Sequence, residues 1–445
     1  MKTLIVSLIA AAAALLPTYL RADTRPNVVL IMIDTLRADK LGVYGCKFNT
    51  SPEIDAIAKQ GAVFRRAISQ APWTRASIAS LLTSQYPRSI GVLKEQWDTL
   101  PADATTLAEA LKGAGYTTIG LTANPQINRT FNFHQGFDQY TDSGVIFRWM
   151  KKEEGKKKSS KHDRVASAAE LLGEALKQAG AETKRPVYLQ LLLMDVHAHD
   201  KMRREAVDPD LASDPRPRYL QTVRNTSREV GPFIAKLAAL ENFKNTLFVI
   251  TADHGEGLAD HPSVGQSAHH GNLLYESQLH VPLILFNPAD NGLRGRVFDG
   301  DVRLLELVPT VLGYVGAAVP AGVEGKDLSA ILHGMEKMPL LPAPISETRW
   351  RDVEKLAVYS PDYVYIENRD HWKGVNPKEL QRRDRPQDGL KTDLYGGADD
   401  KVSAELQAAL KKWEDSHPLR AGAAPDEQHQ PLPEEVEQLK SLGYL

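Results

Sequence analysis

Runs of apolar residues alternate along the chain with segments of helical pattern. The apolar runs of strand length with few polar positions are residues 27–33, 187–194 and 246–251. Further strands are predicted at 117–122 and 281–286, and amphipathic helices at 51–60, with a Ser cap, 105–114 and 165–179. Strands that are apolar on both faces are typical of parallel sheets buried between helices. The pattern predicts an α/β fold with a large mixed, mostly parallel sheet sandwiched by helices.

The pattern changes near Pro339. Short alternating strands are predicted at 358–359 and Tyr363 to Ile366, followed by an amphipathic segment at 404–413. We therefore predict three parts: a signal peptide at 1–22, a catalytic domain at 23–340 and a small α+β C-terminal subdomain at 341–445.

Composition and charge favour a compact protein whose partner is a small molecule. The 445 residues are 42% hydrophobic, which is enough for one large core and a smaller unit. The net charge is −2 with both signs mixed, so no basic patch for nucleic acid is expected. Because Cys46 is the only cysteine, the chain cannot form an internal disulfide.

The N-terminus has the features of a signal peptide. Lys2 precedes an apolar run from Leu4 to Leu16, and Ala22 is a plausible cleavage position. A membrane anchor is the alternative, although the run is shorter than the roughly 20 residues that span a bilayer. No later segment is apolar enough for a membrane span, so we expect an exported protein, periplasmic or secreted.

Each of the three clearest strands is followed by an aspartate: Asp34, Asp195 and Asp253. In open α/β sheets ligands bind beyond the carboxyl ends of the strands, so these side chains are expected to converge. Carboxylates packed together repel unless they share a proton or bind a cation. The histidines near these strand ends, which could complete a metal site, are His197, His199, His254, His269 and His270. For any one of them, an ordinary surface or core residue is the alternative.

A nucleophile and an anion site are both predicted at the start of one helix. Pro72 and Trp73 precede an apparent helix, which places Thr74 at or near its N-terminus. Free N–H groups and the helix dipole favour a phosphate or sulfate group there. From the residues alone, Thr74 could equally be only the N-cap of this helix.

Several motifs, taken in order, resemble the sulfatase family of the alkaline phosphatase superfamily. They are DTLRADKLGVYG (34–45), TSPEIDAIAKQGAVF (50–64), WTRASIASLLT (73–83), DVH (195–197), TADHGE (251–256), HGNLLYE (270–276) and LKSLGY (439–444). The resemblance implies an alkaline phosphatase-like fold and places Thr74 at the nucleophile position.

The departures from the family pattern bear on the chemistry. Sulfatases proper oxidise a Cys or Ser in CxPSR to formylglycine, whereas Thr74 stands here and cannot be converted that way. Ile78 replaces the supporting Arg, for which Arg75 could compensate, and Thr35 replaces a second metal-binding Asp. Phosphatases and phosphodiesterases of the superfamily use an unmodified Thr or Ser, so the resemblance implies alkoxide chemistry.

The site assignments that follow rest on both arguments. We predict metal ligands Asp34, Thr74, Asp253 and His254, catalytic residues Thr74, His197 and His270, and substrate-binding residues Arg75 and Asp195. The cofactor is expected to be one divalent ion, calcium, manganese or zinc. A second metal at Asp195, His199 and His270 stays open.

The sequence thus predicts a metal-dependent hydrolase of phosphate or sulfate esters, including phosphodiesters, with a small-molecule or glycan substrate. Two alternatives stay open: an anion-binding protein that has lost catalysis, and a phosphoryl-group transferase.

Overall fold

The computed structural model describes residues 25–93, 97–145, 165–182, 185–199, 206–265, 268–351, 353–369, 375–397, 399–424, 431 and 433–441. The predicted signal peptide at 1–22 lies outside the described residues and stays a prediction.

A large mixed sheet forms the centre of the molecule. Its strands are β1 (Asn27–Ile33), β2 (Ala62–Ile68), β3 (Thr117–Thr122), β4 (Gln139–Thr141), β5 (Val187–Leu193), β6 (Thr246–Thr251), β7 (His280–Phe286) and β8 (Arg296–Arg303). Their spatial order is β4-β3-β5-β1-β6-β7-β2-β8. β7 is antiparallel to both of its neighbours, and every other neighbouring pair is parallel. The predicted α/β class and mostly parallel sheet are confirmed.

Helices pack around this sheet. In chain order they are α1 (Pro52–Ala58), α2 (Thr74–Thr83), α3 (Pro87–Ile90), α4 (Leu107–Gly113), α5 (Ala168–Gly180), α6 (Pro217–Ala238), α7 (Glu276–Leu279), α8 (Leu307–Tyr314) and α9 (Ser329–Leu332). Thr106 and Ser167 close capping boxes at α4 and α5. The Ser51 hydroxyl does not cap α1, contrary to the prediction, because it accepts from Gly42 N and donates to Asp55.

The central strands are fully buried, as their apolar sequences predict. Every residue of β1, β5 and β6 is buried, and the core cluster extends from them into the helices on both faces. A truncation here, such as Ile31→Ala, is expected to cost about 2–5 kcal/mol. This rigid centre fixes the positions of the residues that follow each strand.

A second, smaller sheet lies in the C-terminal part. It contains β9 (Ile345–Thr348), β10 (Lys355–Tyr359), β11 (Tyr363–Asn368) and β12 (Lys378–Arg382), all antiparallel in the order β12-β11-β10-β9. Helix α10 (Asp400–Ser416) packs Leu406, Leu410 and Trp413 against the buried apolar side chains of this small sheet. Helix α11 (Pro433–Ser441) follows. The predicted α+β unit is confirmed in kind.

The small sheet is joined to the segment that leads into α2. Glu347 N donates to Gln70 O at 2.9 Å, and Ser346 Oγ donates to Ser69 O at 2.6 Å. Arg88 and Glu347 form a buried ion pair, with Nε and Oε2 2.9 Å apart. The C-terminal unit therefore supports the start of α2.

Among the described residues, no helix is both long and apolar enough to cross a membrane.

Candidate active site

Strand register places three polar residues in one row at the carboxyl edge of the sheet. The pairing of β1 with β6, continued two residues past Thr251, sets Asp34 beside Asp253. On the other side, Asp34 N donates to the β5 backbone, and the continued register sets Asp34 beside Met194. The pairing of β3 with β5 sets Asn124 at this same level. Residues at one level share a face, so Asp34, Asp253 and Asn124 converge.

The two carboxylates and His254 form a buried cluster. One oxygen of Asp34, one of Asp253 and a ring nitrogen of His254 all lie within 4.8 Å of one another. His254 Nε2 is 3.3 Å from Asp253 Oδ2 and 3.9 Å from Asp34 Oδ1. Both of these oxygens are buried and accept no hydrogen bond among the described residues. Unpartnered buried carboxylate oxygens that face a neutral nitrogen fit a divalent cation.

The electrostatics of the cluster agree with this fit. Burial and the nearby charge of Asp253 raise the pKa of Asp34 well above its usual value, and burial raises the pKa of Asp253. Burial also lowers the pKa of His254. Since His254 Nδ1 is 2.8 Å from Gly255 O and donates to it, the Nε2 lone pair faces the carboxylates. These residues could therefore hold a cation.

Thr74 lies against this cluster. It is the first residue of α2 and is 1% exposed, while Trp73 occupies the cap position. Its Oγ1 is 3.3 Å from His254 Nε2 and 3.5 Å from Asn124 Nδ2. The N-cap interpretation is wrong, because the hydroxyl contacts the carboxylate and imidazole cluster instead of capping the helix.

Thr35 adopts a strained backbone beside the cluster. Its φ is 60°, an uncommon value for a β-branched residue. In this conformation its N–H donates to Asp253 Oδ1 at 3.3 Å, and its carbonyl accepts from Tyr219 OH at 2.7 Å. At the position where sulfatases have a second Asp, this chain contributes a backbone donor that orients Asp253.

A second pair of ionisable groups lies next to the cluster. His270 Nδ1 is 3.0 Å from Glu256 Oε2, and the His270 ring is 4.6 Å from the His254 ring and 5.1 Å from the His197 ring. Burial alone would lower the pKa of His270, but the Glu256 carboxylate outweighs it and raises the pKa. His197 and His270 are thus brought together beside the predicted metal site.

Arg75 makes other contacts. Its guanidinium carbon lies 3.4 Å from the centre of the Phe131 ring, and Nε donates to Gln126 O at 3.2 Å. The side chain is buried. These contacts hold the start of α2 against the segment after β3, and substrate binding by Arg75 stays a prediction.

Asp195 is not part of the cluster of potential ligands among the described residues. It lies in the turn that follows β5, one residue past the level of Asp34. Burial raises its pKa to about 7, and it accepts from the backbone of Ala168 at the start of α5. His199 Nδ1 is 3.1 Å from Val196 O. The substrate role of Asp195 and the second metal stay predictions.

The sequence analysis missed two site residues. Asn124 donates to Asp34 Oδ2 at 2.6 Å, and Glu256 pairs with His270. Asn124 follows β3 as the aspartates follow their strands, so the argument from strand ends could have found it. Glu256 lies in the motif TADHGE (251–256), but the sequence did not indicate a role for it, because its contact with His270 depends on the fold.

The amino-acid sequence matches a known family and several of its characterised members. The sequence model of the family described as "Sulfatase" matches residues 26–317. The arylsulfatase of Clostridium perfringens is 22% identical, with 69% of this chain and 79% of the relative covered. The ulvan-active sulfatase of Formosa agariphila is 23% identical, with 69% of this chain and 65% of the relative covered.

Solved structures show the same fold. The phosphonate monoester hydrolase of Silicibacter pomeroyi superposes with a TM-score of 0.70 at 18% identity, covering 89% of this chain and 96% of that one. Another structure, determined with its substrate D-glucosamine-2-N,6-O-disulfate, has a TM-score of 0.68 at 16% identity, with coverages of 88% and 98%.

Proposed function

The chain belongs to the sulfatase family, and from this premise we propose that it is an exported, metal-dependent hydrolase of phosphate or sulfate esters with Thr74 as its nucleophile. The observation that carries the proposal is the position of the Thr74 hydroxyl, 3.3 Å from His254 Nε2 beside two buried carboxylates. The activity as an ester hydrolase follows from the family, and the nucleophile and metal are the proposed part.

Asp34, Asp253 and His254 would hold the cation. When bound, a divalent ion supplies positive charge that favours the alkoxide form of a nearby hydroxyl. The protein prepares the ligands in three ways: Asn124 donates to Asp34, the Thr35 N–H donates to Asp253, and Gly255 fixes the tautomer of His254.

Thr74 would then attack phosphorus or sulfur in line with the leaving oxygen. A bond forms between Thr74 Oγ1 and the central atom while the bond to the leaving oxygen breaks, and the hydroxyl proton passes to solvent. Water next attacks the covalent intermediate, which frees the phosphate or sulfate and restores the threonine. In α2 the first intrahelical hydrogen bond runs from Ser77 N to Trp73 O, and the positive end of the helix dipole beside Thr74 would favour the anion.

His270 is the group we assign to the leaving oxygen. Its Nδ1 is bound to Glu256, which leaves Nε2 for a proton donated to the departing alcohol. His197, whose ring packs against His270, would bind the anion. The Glu256 carboxylate raises the pKa of His270, which favours the protonated form that this role needs.

An unmodified threonine favours phosphate esters and phosphodiesters over sulfate esters, because alkoxide attack at phosphorus needs no formylglycine. One relative is described as an ulvan-active sulfatase, and one structural neighbour was determined in complex with its substrate D-glucosamine-2-N,6-O-disulfate. We therefore keep glycan esters within the proposed substrates, together with small-molecule esters. Export is proposed from the apolar run at residues 4–16.

The test is release of phosphate and sulfate from nitrophenyl esters by the purified mature protein. Nitrophenyl phosphate, a nitrophenyl phosphodiester and nitrophenyl sulfate are each incubated with calcium, manganese, zinc or magnesium, and parallel samples contain a chelator. Asp253→Asn serves as a control that keeps the size of the side chain but lowers the charge of the predicted metal site.

Metal-dependent cleavage of the phosphorus esters, lost in Asp253→Asn, is the expected result. Sulfate release without phosphate release would replace the phosphoryl part of the proposal with sulfatase activity. No turnover under any metal, with retained binding of phosphate or sulfate, would favour the anion-binding alternative.

A further inference from the structure

The chain returns from the small C-terminal sheet to the large domain. After α10, Arg420 N donates to Arg88 O at 2.9 Å, and Thr99 N donates to Ala423 O at 2.8 Å. Helix α11 then packs Leu439, 1% exposed, into the main core cluster. Although it is far from Asp34 in sequence, α11 is therefore docked on the large domain.

One buried carboxylate of α11 holds the segment that follows β3. Glu435 is 7% exposed, and it accepts from Asn128 Nδ2 at 3.2 Å and from Thr130 Oγ1 at 3.0 Å. The Oδ1 atom of the same Asn128 side chain accepts hydrogen bonds from Ser143 N and Ser143 Oγ. A Cβ on Gly144 would lie 2.9 Å from Glu435 Oε1, so the backbone approaches this carboxylate closely.

The same segment, residues 124–131, contacts the site at its other end. Asn124 Nδ2 donates to Asp34 Oδ2 at 2.6 Å, and the side-chain Oδ1 of Asn124 accepts from Gln126 N at 2.8 Å. These two hydrogen bonds fix the orientation of the side-chain amide. Gln126 O and the Phe131 ring hold Arg75, the neighbour of Thr74. We call residues 124–131 the bridge segment.

We propose that Glu435 is a positioning residue of the active site, which acts through the bridge segment on Asp34 and Thr74. The proposal rests on the proposed function, since it concerns the same nucleophile and metal ligands. A buried carboxylate with two donors is costly to replace by an apolar group, because the donors lose their acceptor. The bridge segment then loses its fixed position, and Asn124 is displaced from Asp34.

The variants separate this role from folding of the helix. Glu435→Ala removes both contacts. Glu435→Gln is the conservative rescue, since an amide can accept from Asn128 and donate to the Thr130 hydroxyl. Thr130→Val is a milder variant that keeps the fold and removes one contact, and Glu437→Ala, an exposed position of the same helix, is the matched control.

Three measurements apply to the full-length mature protein: kcat and KM on the best nitrophenyl ester, Mn²⁺ affinity by calorimetry, and hydrogen exchange of the bridge segment. Displacing a reacting group by ~1 Å can cost roughly 10²-fold in rate, so we expect Glu435→Ala to lower kcat at least about tenfold. KM should change by less than about threefold, exchange in residues 124–131 should rise, and Glu435→Gln should recover most of the kcat.

Wild-type kcat in Glu435→Ala, or an equal loss in Glu437→Ala, would overturn the proposal. So would a loss of kcat in Glu435→Ala that Glu435→Gln does not restore. If the wild-type protein turns over no ester, the proposed function fails, and hydrogen exchange still decides the positioning role. Unchanged exchange in the bridge segment of Glu435→Ala would then reject it.

Discussion

Replacement of Thr74 by alanine removes the proposed nucleophilic hydroxyl, and it should affect activity much more than stability. The hydroxyl is buried, and its contacts with His254 Nε2 and Asn124 Nδ2 are 3.3 and 3.5 Å, which are long for hydrogen bonds. A normal hydrogen bond contributes about 1 kcal/mol net, so losing these contacts should cost no more than roughly 1 kcal/mol of unfolding free energy. Loss of a covalent nucleophile should instead lower kcat/KM at least ~10³-fold, or about 4 kcal/mol.

Ser77 on the same helix provides a matched control. Its hydroxyl donates to Asp253 O at 2.6 Å and lies 2.9 Å from Ser69 Oγ. Because Ser77→Ala removes the donor to the buried Asp253 carbonyl, it should cost about 1–3 kcal/mol of stability. It should change kcat/KM by less than about tenfold, since it removes no reacting atom. The two variants should therefore rank in opposite order for stability and for activity.

The assay combines kcat/KM on the best nitrophenyl ester with urea unfolding and metal content of each variant. Mass spectrometry of acid-quenched wild-type enzyme should find the covalent adduct on the peptide that contains Thr74. More than a tenth of wild-type activity in Thr74→Ala would refute the nucleophile assignment. A larger activity loss in Ser77→Ala than in Thr74→Ala would point to Ser77 instead.

Three further predictions concern buried charge. Asp253→Asn should abolish Mn²⁺ binding in calorimetry yet leave the metal-free protein at least as stable as wild type, because burial and repulsion disfavour two carboxylates beside each other without a cation. Asp195→Asn should raise the unfolding temperature at pH 8. Burial raises the pKa of Asp195 from 3.8 to about 7, so its ionisation lowers stability progressively as pH rises through that window, by up to about 4 kcal/mol. The gain should shrink toward pH 4. Glu347→Ala should lower the unfolding free energy in urea by about 3–5 kcal/mol, because it leaves the buried Arg88 guanidinium without this partner.

Each of these has a contrary outcome. Full Mn²⁺ affinity in Asp253→Asn would remove that residue from the metal site. A pH-independent effect of Asp195→Asn would mean that the folded and unfolded proteins ionise Asp195 alike. If Glu347→Ala unfolds like wild type, the ion pair does not fasten the C-terminal unit to the large domain.

Strand and helix content followed from local pattern. Apolar runs such as Asn27–Ile33 are typical of buried strands in a sheet that is covered on both faces, and the structure has this strand at the predicted bounds. The aspartates after such runs also pointed to the carboxyl edge of the sheet, where Asp34 and Asp253 meet. These features depend on neighbouring residues along the chain, so the sequence alone determined them.

The register between neighbouring strands could not be predicted from the sequence. Three aspartates follow three strands, but a shift of one residue turns a side chain to the other face. In the structure Asp34 and Asp253 share a cluster with Asn124, whereas Asp195, in the turn after β5, contacts the start of α5. No local pattern carries the pairing of strands that are distant in the chain.

Contacts between distant segments were likewise decided only by the tertiary structure. The sequence could place Thr74 at the start of a helix, but both the cap and the nucleophile interpretations were compatible with that position. Only the packing of α2 against the segment that follows β6 puts the hydroxyl beside His254, and only the return of the chain places Glu435 on the bridge segment. Local sequence determines the elements and their ends, while the site arises from side chains that long-range packing brings together.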